Sequence, residues 1–143
     1  MTRVTGSRTV AASPAAVRSI IQRNLGAFVG AGGFDSVDVE GDTFAVTRDL
    51  GLATIELTAR VDQDADGVLA YEAIDGIFEH MRTEYAVDPA ESGAKITAVT
   101  EFSLGGIFGS ALDATLVSTQ RKREFEDQFD YLESQLEADG IVS

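Results

Sequence analysis

Residues 108–138, which read FGSALDATLVSTQRKREFEDQFDYLESQLEA, decide the fold. Their apolar side chains recur at intervals of three and four residues, as on one buried face of an α-helix. This apolar stripe comprises Phe108, Ala111, Leu112, Leu116, Phe125, Phe129, Leu132 and Leu136. The spacing predicts one helix of 31 residues from Phe108 to Ala138, about 46 Å long. Such a helix needs a large apolar surface to pack against.

The middle of this predicted helix is polar. Residues Ser118 to Glu124 include no apolar side chain, and a period of about 3.5 residues carries the stripe through Thr115, Ser118 and Lys122. One interpretation is a helical turn half open to water, with the stem of Lys122 lying along the surface. The other is that the middle of the helix faces a cavity instead of a packed core.

Length and composition predict a single domain, residues 1–143. A chain of this length buries a sizeable core, and a hydrophobic content of 44% excludes a disordered protein. No apolar run approaches the ~20 residues of a membrane-spanning helix, so we expect no stable membrane insertion. Residues Met1 to Val10 lack the apolar core of a signal peptide, which predicts a cytoplasmic protein.

Charge and cysteine content exclude several functions. The net charge of −13 argues against nucleic acid as a partner, because phosphate binding needs a basic surface. With no cysteine and one histidine, the sequence offers no thiol nucleophile and no histidine cluster, so we predict neither a metal site nor a cofactor. Aspartate outnumbers glutamate 13 to 11 and only 2 of the 11 basic residues are lysine, which resembles proteins of salt-accumulating halophiles.

The residues ahead of the long helix predict a sheet. Arg3 to Val10 predicts a first strand, Ser13 and Pro14 predict the start of a helix, and the glycines of 26–33 predict a second short helix or turn. Alternation with a period of two, broken by turn residues, then predicts six strands. These are Asp35 to Val39, Thr43 to Asp49, Ala53 to Gln63, Val68 to Ile74, Phe78 to Val87 and Lys95 to Leu104. Because every connection is short, the sheet should be antiparallel.

The register around Asp75 and Gly76 follows from charge. A two-residue turn would place Glu72 opposite Glu79, which is unfavourable, so we predict a longer connection that pairs Glu72 with His80. The apolar face of this pair of strands then carries Tyr71, Ala73, Glu79, Met81, Thr83, Tyr85 and Val87.

Two charged residues share the predicted apolar face of the sheet. Arg48 has the phase of Phe44 and Val46, and Glu79 has the phase of Met81. Buried charges are costly unless they are paired. Either both side chains reach water at frayed strand ends, or a pocket with a few convergent polar groups lies between sheet and helix.

The pattern resembles the SRPBCC superfamily, the START-like helix-grip proteins that include polyketide cyclases/dehydrases, lipid-transport and coenzyme Q-binding proteins. The residues that carry the resemblance are Thr9 to Val17, Tyr85 to Pro89, Gly93 to Thr97 and the long closing helix. It implies an α+β helix-grip fold, in which a seven-stranded antiparallel sheet, with two short helices after strand 1, curls around the C-terminal helix and leaves an apolar cavity.

The resemblance also places the cavity mouth at residues 49–51, 75–78 and 105–108. These residues carry or adjoin Leu50, Leu52, Ile77, Phe78, Ile107 and Phe108. This apolar rim suits the passage of a ligand or a contact in a homodimer, so a monomer and a homodimer both stay open.

Three functions fit this sequence. The favoured one is binding or transport of a hydrophobic small molecule such as a lipid, isoprenoid or quinone, without catalysis. Its candidate ligand-binding residues are Arg48, Tyr71, Glu79, Met81, Tyr85, Phe102, Phe108, Leu112, Thr115 and Lys122.

The second function is that of a polyketide cyclase or dehydratase. Glu79 or His80 would act as a general base, and Arg48 or Tyr71 would hold a carbonyl oxygen. The third is a protein-interaction or regulatory module. A cavity above roughly 300 Å³ would favour a small molecule, and a filled interior together with an exposed apolar patch would favour a protein partner.

Overall fold

The computed structural model describes residues 1–49, 51, 54–104 and 114–140. A seven-stranded antiparallel sheet has the order β1-β7-β6-β5-β4-β3-β2, and its strands are followed by a long helix. The elements are β1 (Thr2–Val10), α1 (Pro14–Arg23), α2 (Leu25–Gly30), β2 (Ser36–Glu40), β3 (Thr43–Asp49), β4 (Thr54–Val61), β5 (Leu69–Gly76), β6 (Phe78–Ala90), β7 (Gly93–Leu104) and α3 (Ala114–Ala138). The predicted helix-grip fold is confirmed.

Local capping explains the two short helices. The side chain of Ser13 accepts a hydrogen bond from the Ala16 N–H at 3.2 Å, and Pro14 occupies the first turn of α1. Asn24 ends α1 and caps α2, because its side-chain oxygen accepts from the Ala27 N–H at 3.0 Å. One residue therefore separates the two helices and turns the chain back toward the sheet.

The C-terminal half of α3 anchors the helix on the sheet. Its buried side chains Phe125, Phe129, Leu132 and Leu136 belong to the main hydrophobic core, as the stripe predicts. Arg8 on β1 reinforces this contact from outside, since its guanidinium lies 5.6 Å from the centre of the Phe129 ring. The same guanidinium forms ion pairs with Glu126, Asp130 and Glu133 of α3.

In the middle of α3, the residues that face the sheet differ from those that the sequence predicts. The inward positions are Val117, Arg121, Glu124 and Gln128, whereas Thr115 and Lys122 are exposed and Ser118 is half-buried. The prediction was wrong because it stepped back three residues from Phe125, to Lys122, whereas the buried side of the helix lies four residues back. Steps of four from Phe125 lead to Arg121 and Val117. The predicted segment 108–113 lies outside the described residues.

The register of β5 and β6 also differs from the prediction. Glu72 pairs with Arg82 and not with His80, a shift of two residues that keeps the predicted alternation of faces. A bulge between Phe78 and His80 in the pairing of β6 with β7 then turns Glu79 outward, where it is exposed. The prediction that Glu79 shares the inner face with Met81 was therefore wrong, and of the two alternatives the one in which its side chain reaches water is observed.

The ladder between β5 and β6 is short. It spans Leu69–Glu72, whereas the end of β5 pairs with β4, where Gly76 lies opposite Leu57. The start of β6 pairs with β7 through Phe78 and Leu104. The two strands therefore separate toward their turn, next to the side chains of Leu57 and Phe78.

Gly76 should be the least replaceable residue of this turn. Its φ is +126°, and a Cβ there would lie 2.2 Å from the carbonyl oxygen of Glu56. We expect Gly76→Ala to lower the free energy of unfolding by roughly 3 kcal/mol, since strain adds to a steric clash. The matched control is Gly41→Ala, where φ is +63° and no atom lies within 4 Å; it should cost about 1 kcal/mol. Unfolding in urea measures both variants, and equal losses of unfolding free energy would contradict this account of the turn.

Candidate functional site

A charged pair is buried in the middle of α3. Arg121 and Glu124 are each only 4% exposed, and the Arg121 Nη1 donates a hydrogen bond to Glu124 Oε2 one helical turn away. Burial of such a pair is costly unless its remaining hydrogen-bonding atoms are also satisfied. The partners of this pair on the sheet therefore define the site.

The sheet supplies hydroxyl groups to the Arg121 guanidinium. Its Nη2 donates to Thr83 Oγ1 at 2.9 Å and to the Tyr71 hydroxyl at 3.4 Å. The hydroxyls of Thr83 and Thr100 lie 2.8 Å apart, on neighbouring strands β6 and β7. These residues meet because each occupies an inward position of its strand, and Tyr71 pairs directly with Thr83.

A second hydrogen-bonded chain runs one turn further along α3. The Tyr85 hydroxyl donates to Gln128 Oε1 at 2.7 Å, and Gln128 Nε2 donates to the carbonyl oxygen of Val29 at 3.4 Å. Gln128 therefore connects β6 to α2 through the core. The Tyr71 and Tyr85 hydroxyls, 3.5 Å apart, link this chain to the Arg121 cluster.

Arg48 holds the turn after α2 against α3. Its Nη1 donates to the carbonyl oxygen of Gly32 at 2.9 Å and lies 3.9 Å from Glu124 Oε1. The next residue, Gly33, leaves room for this guanidinium, because a Cβ there would lie 3.2 Å from Arg48 Nη1. The inward direction of Arg48 follows the predicted strand phase. Two guanidinium groups thus share one carboxylate at the site.

A small cavity lies against this cluster. It has a volume of about 20 Å³, enough for roughly one water molecule. Its walls are formed by Phe34, Ile55, Leu57, Phe78, Val117, Gln120, Arg121 and Glu124. Two buried atoms of these residues, Arg121 Nε and Gln120 Oε1, have no hydrogen-bond partner among the described residues. The residues that line this mostly apolar cavity therefore carry one unused donor and one unused acceptor.

Burial shifts the ionisation of the cluster. It raises the pKa of the Glu124 carboxyl, and the adjacent charges of Arg121 and Arg48 offset only part of this effect. Burial also raises the pKa of the Tyr85 phenol well above its ordinary value. For Arg121, burial alone lowers the pKa, but Glu124 and Tyr71 raise it by more, so the guanidinium stays charged.

The structure brings together some of the predicted ligand-binding residues. Tyr71, Met81, Tyr85 and Phe102 are buried on the inner face of the sheet, and Arg48 lies near the end of β3. That they bind a ligand stays a prediction.

Three other predicted residues point to solvent, namely Glu79, Thr115 and Lys122. They are not placed to line an interior site, so these predictions were wrong. His80, the alternative general base, is also exposed. Phe108 and Leu112 lie outside the described residues.

The central residues Gln120, Arg121, Glu124 and Gln128 were missed. Arg121 lies four residues before Phe125 and could have been found by following the exact helical period from the apolar half of α3. Its partners could not, because Thr83 and Tyr71 are 38 and 50 residues away in the sequence.

Comparisons with known proteins agree with this architecture. A sequence model of the family described as polyketide cyclase/dehydrase and lipid transport matches residues 1–137. The chain belongs to this family. No curated protein sequence matches it significantly.

Solved structures of the family's fold superimpose over almost the whole chain. A protein from Thermus thermophilus is 18% identical with a TM-score of 0.75, over 96% of this chain and 98% of that one. A START superfamily protein from Mycobacterium smegmatis is 12% identical with a TM-score of 0.68, over 95% and 97% of the two chains. The Zhui aromatase/cyclase from Streptomyces sp. R1128 is 17% identical with a TM-score of 0.66, over 95% and 93%. At these identities the similarity shows the fold alone.

Metal-binding clusters and membrane-spanning helices are absent from the described part of this family member. Across residues 1–49, 51, 54–104 and 114–140, no three histidine or acidic side chains are grouped so as to hold a metal ion. None of the helices described here is both long enough and apolar enough to cross a bilayer.

The raised pKa of Glu124 predicts a specific pH dependence of stability. The folded protein binds this proton more tightly than the unfolded chain, so the group's contribution to stability falls as pH rises from 4.5, its ordinary pKa, through the folded value. Glu124→Gln should remove this dependence. The free energy of unfolding of the wild type, relative to the variant, should decline across this pH range in urea titrations.

The matched control for this measurement is Glu137→Gln, which changes an exposed carboxyl on the same helix. Its difference from the wild type should stay nearly constant over the same range. A wild-type advantage over Glu124→Gln that grows with pH would show that the folded pKa is lowered instead.

Proposed function

We propose that this protein binds a hydrophobic small molecule whose polar end carries an oxygen acceptor, with the Arg121 guanidinium as its anchor. The observation that carries the proposal is the buried Arg121 Nε, which has no partner among the described residues and belongs to a residue that lines an otherwise apolar cavity. A buried donor left unpaired costs about 1–3 kcal/mol, so an acceptor delivered by a ligand would be favoured.

The surroundings of Arg121 support an apolar ligand body. Ile55, Leu57 and Val117 line the cavity and are buried, and the polar atoms are confined to one side, on α3. Binding sites for small molecules typically combine apolar walls with a few placed polar groups. The family description, which includes polyketide cyclases and lipid transport, is consistent with such a ligand.

Binding must enlarge the cavity. Its volume of about 20 Å³ is far below the roughly 300 Å³ of a preformed ligand pocket. Phe34 and Phe78 are half-buried wall residues, and Phe78 lies where β5 and β6 separate. We propose that these two aromatic side chains move aside when the ligand binds.

The alternative of a protein-interaction module has less support. The large hydrophobic residues with high exposure in the described part of the chain are Met1, Val39 and Ile74. They lie at the N-terminus, on β2 and on β5, so no single strand or helix presents them together to a protein partner.

The proposal is tested with two probes of similar shape. 2-Acetylnaphthalene carries a carbonyl acceptor and 2-isopropylnaphthalene does not. We expect the wild type to bind the ketone about tenfold more tightly, as one hydrogen bond to a charged donor implies. Arg121→Lys keeps the charge but removes Nε, so it should abolish this preference while leaving 2-isopropylnaphthalene binding unchanged. Isothermal titration calorimetry measures both affinities.

Two control variants distinguish binding in the cavity from binding at the protein surface. Val117→Phe should fill the cavity and weaken both probes, whereas Thr119→Phe adds the same ring at an exposed position of α3 and should not. Absence of binding by the wild type, or equal affinity for both probes, would reject the proposal.

A second candidate is catalysis of the cyclase or dehydratase type. The specific observation is Glu124, which lines the cavity and whose carboxyl has a raised pKa beside the Arg121 guanidinium. A carboxylate of raised basicity is suited to remove a proton next to a carbonyl group, while the guanidinium stabilises the resulting enolate oxygen. The candidate base is therefore Glu124 and not the exposed Glu79 or His80.

Proton abstraction is testable without the natural substrate. 2-Tetralone has acidic protons beside its ketone, and their exchange with deuterium is followed by NMR. The wild type should accelerate this exchange, and Glu124→Gln should reduce the acceleration by about 100-fold while still binding 2-tetralone. If the wild type binds the ketone without accelerating exchange, the catalytic candidate fails and the binding proposal stands.

A further inference from the structure

We infer that Gln120 determines ligand specificity, by selecting a ligand whose polar end is a hydroxyl group that both accepts and donates a hydrogen bond. This inference rests on the proposed function, since it concerns the same cavity. It adds a residue and a chemical class that neither the strand phases nor the helical stripe indicates.

The geometry of the cavity carries the inference. Gln120 and Arg121 are consecutive on α3 and both line the cavity. Arg121 Nε is a donor and Gln120 Oε1 is an acceptor, both are buried, and neither has a partner within the described part of the chain. Buried polar atoms are almost always paired in folded proteins. Two complementary unpaired atoms on neighbouring residues of one cavity wall therefore point to a group that satisfies both.

Ketone, ether and ammonium groups satisfy only one of the two atoms. A ketone or an ether accepts from Arg121 Nε but leaves Gln120 Oε1 unpaired. An ammonium group could donate to Gln120 but would lie beside the Arg121 guanidinium, which stays charged. A hydroxyl group does both, as would the single water molecule for which the cavity has room.

The experiment compares two probes that differ by one methyl group. 2-Naphthol donates and accepts, whereas 2-methoxynaphthalene only accepts, and the binding of both is measured by their own fluorescence. We expect the wild type to bind 2-naphthol about tenfold more tightly, because the ether leaves Gln120 unpaired. Gln120→Leu should reduce this ratio to within about twofold, since no acceptor remains to be satisfied.

A second variant and a control make the result specific. Gln120→Asn keeps the amide but shortens its reach, so it should also lose the preference for 2-naphthol. Gln22→Leu makes the same change as the first variant at an exposed position of α1 and should keep the wild-type ratio. Thermal unfolding of each variant confirms that it is folded at the assay temperature.

The outcomes distinguish the two proposals. If the wild type binds both probes and Gln120→Leu keeps the wild-type ratio, the role of Gln120 is overturned while the binding proposal stands. Equal affinity of the wild type for the two probes overturns it as well. If the wild type binds neither probe, the proposed function fails and this inference fails with it.

Discussion

The burial of the Arg121–Glu124 pair in the middle of α3 is the constraint on which the rest of the interior depends. An isolated pair of this kind is costly in a protein core. Here Thr83 and Tyr71 from the sheet satisfy one guanidinium nitrogen, and Arg48 adds a second positive charge near the carboxylate. The helix and the sheet therefore have to meet in one register for the pair to be tolerated.

The two halves of α3 have different tasks. From Phe125 onward, apolar side chains pack against the sheet, and Arg8 forms ion pairs with the outer surface of the helix. Ahead of Phe125, Gln120 and Arg121 face a cavity with hydrogen-bonding capacity left unused. Stability is thus concentrated at one end of the helix, and a site can exist at the other because the packed half already holds the helix in place. Such a division is typical of proteins in which functional sites are the less tightly packed regions.

This difference between the two halves of α3 also explains which parts of the site could be predicted from the sequence. The polar middle of the helix was recognised, and a cavity facing it was one of two interpretations. Tyr71 and Tyr85 were assigned to the inner face correctly, because alternation survives a register shift of two residues. Glu79 was misassigned because one bulge reverses the alternation, and a bulge leaves no clear mark in a single sequence. Lys122 was misassigned because positions three and four residues before Phe125 both fit an apolar stripe, and only packing decides that the step of four, to Arg121, is the buried one.

The sequence by itself determined the order and type of the elements. Periodicities of two and of three to four residues, with Ser13 and Pro14 as a helix start, depend on neighbouring residues alone, and all seven strands follow from them with ends within three residues of those observed. Only the tertiary structure decided which polar residues meet. Arg121, Thr83 and Tyr71 come from three separate elements, and their contact depends on strand register and on the rotation of α3. These are set by packing between distant segments, where the cost of an unpaired buried charge selects one arrangement.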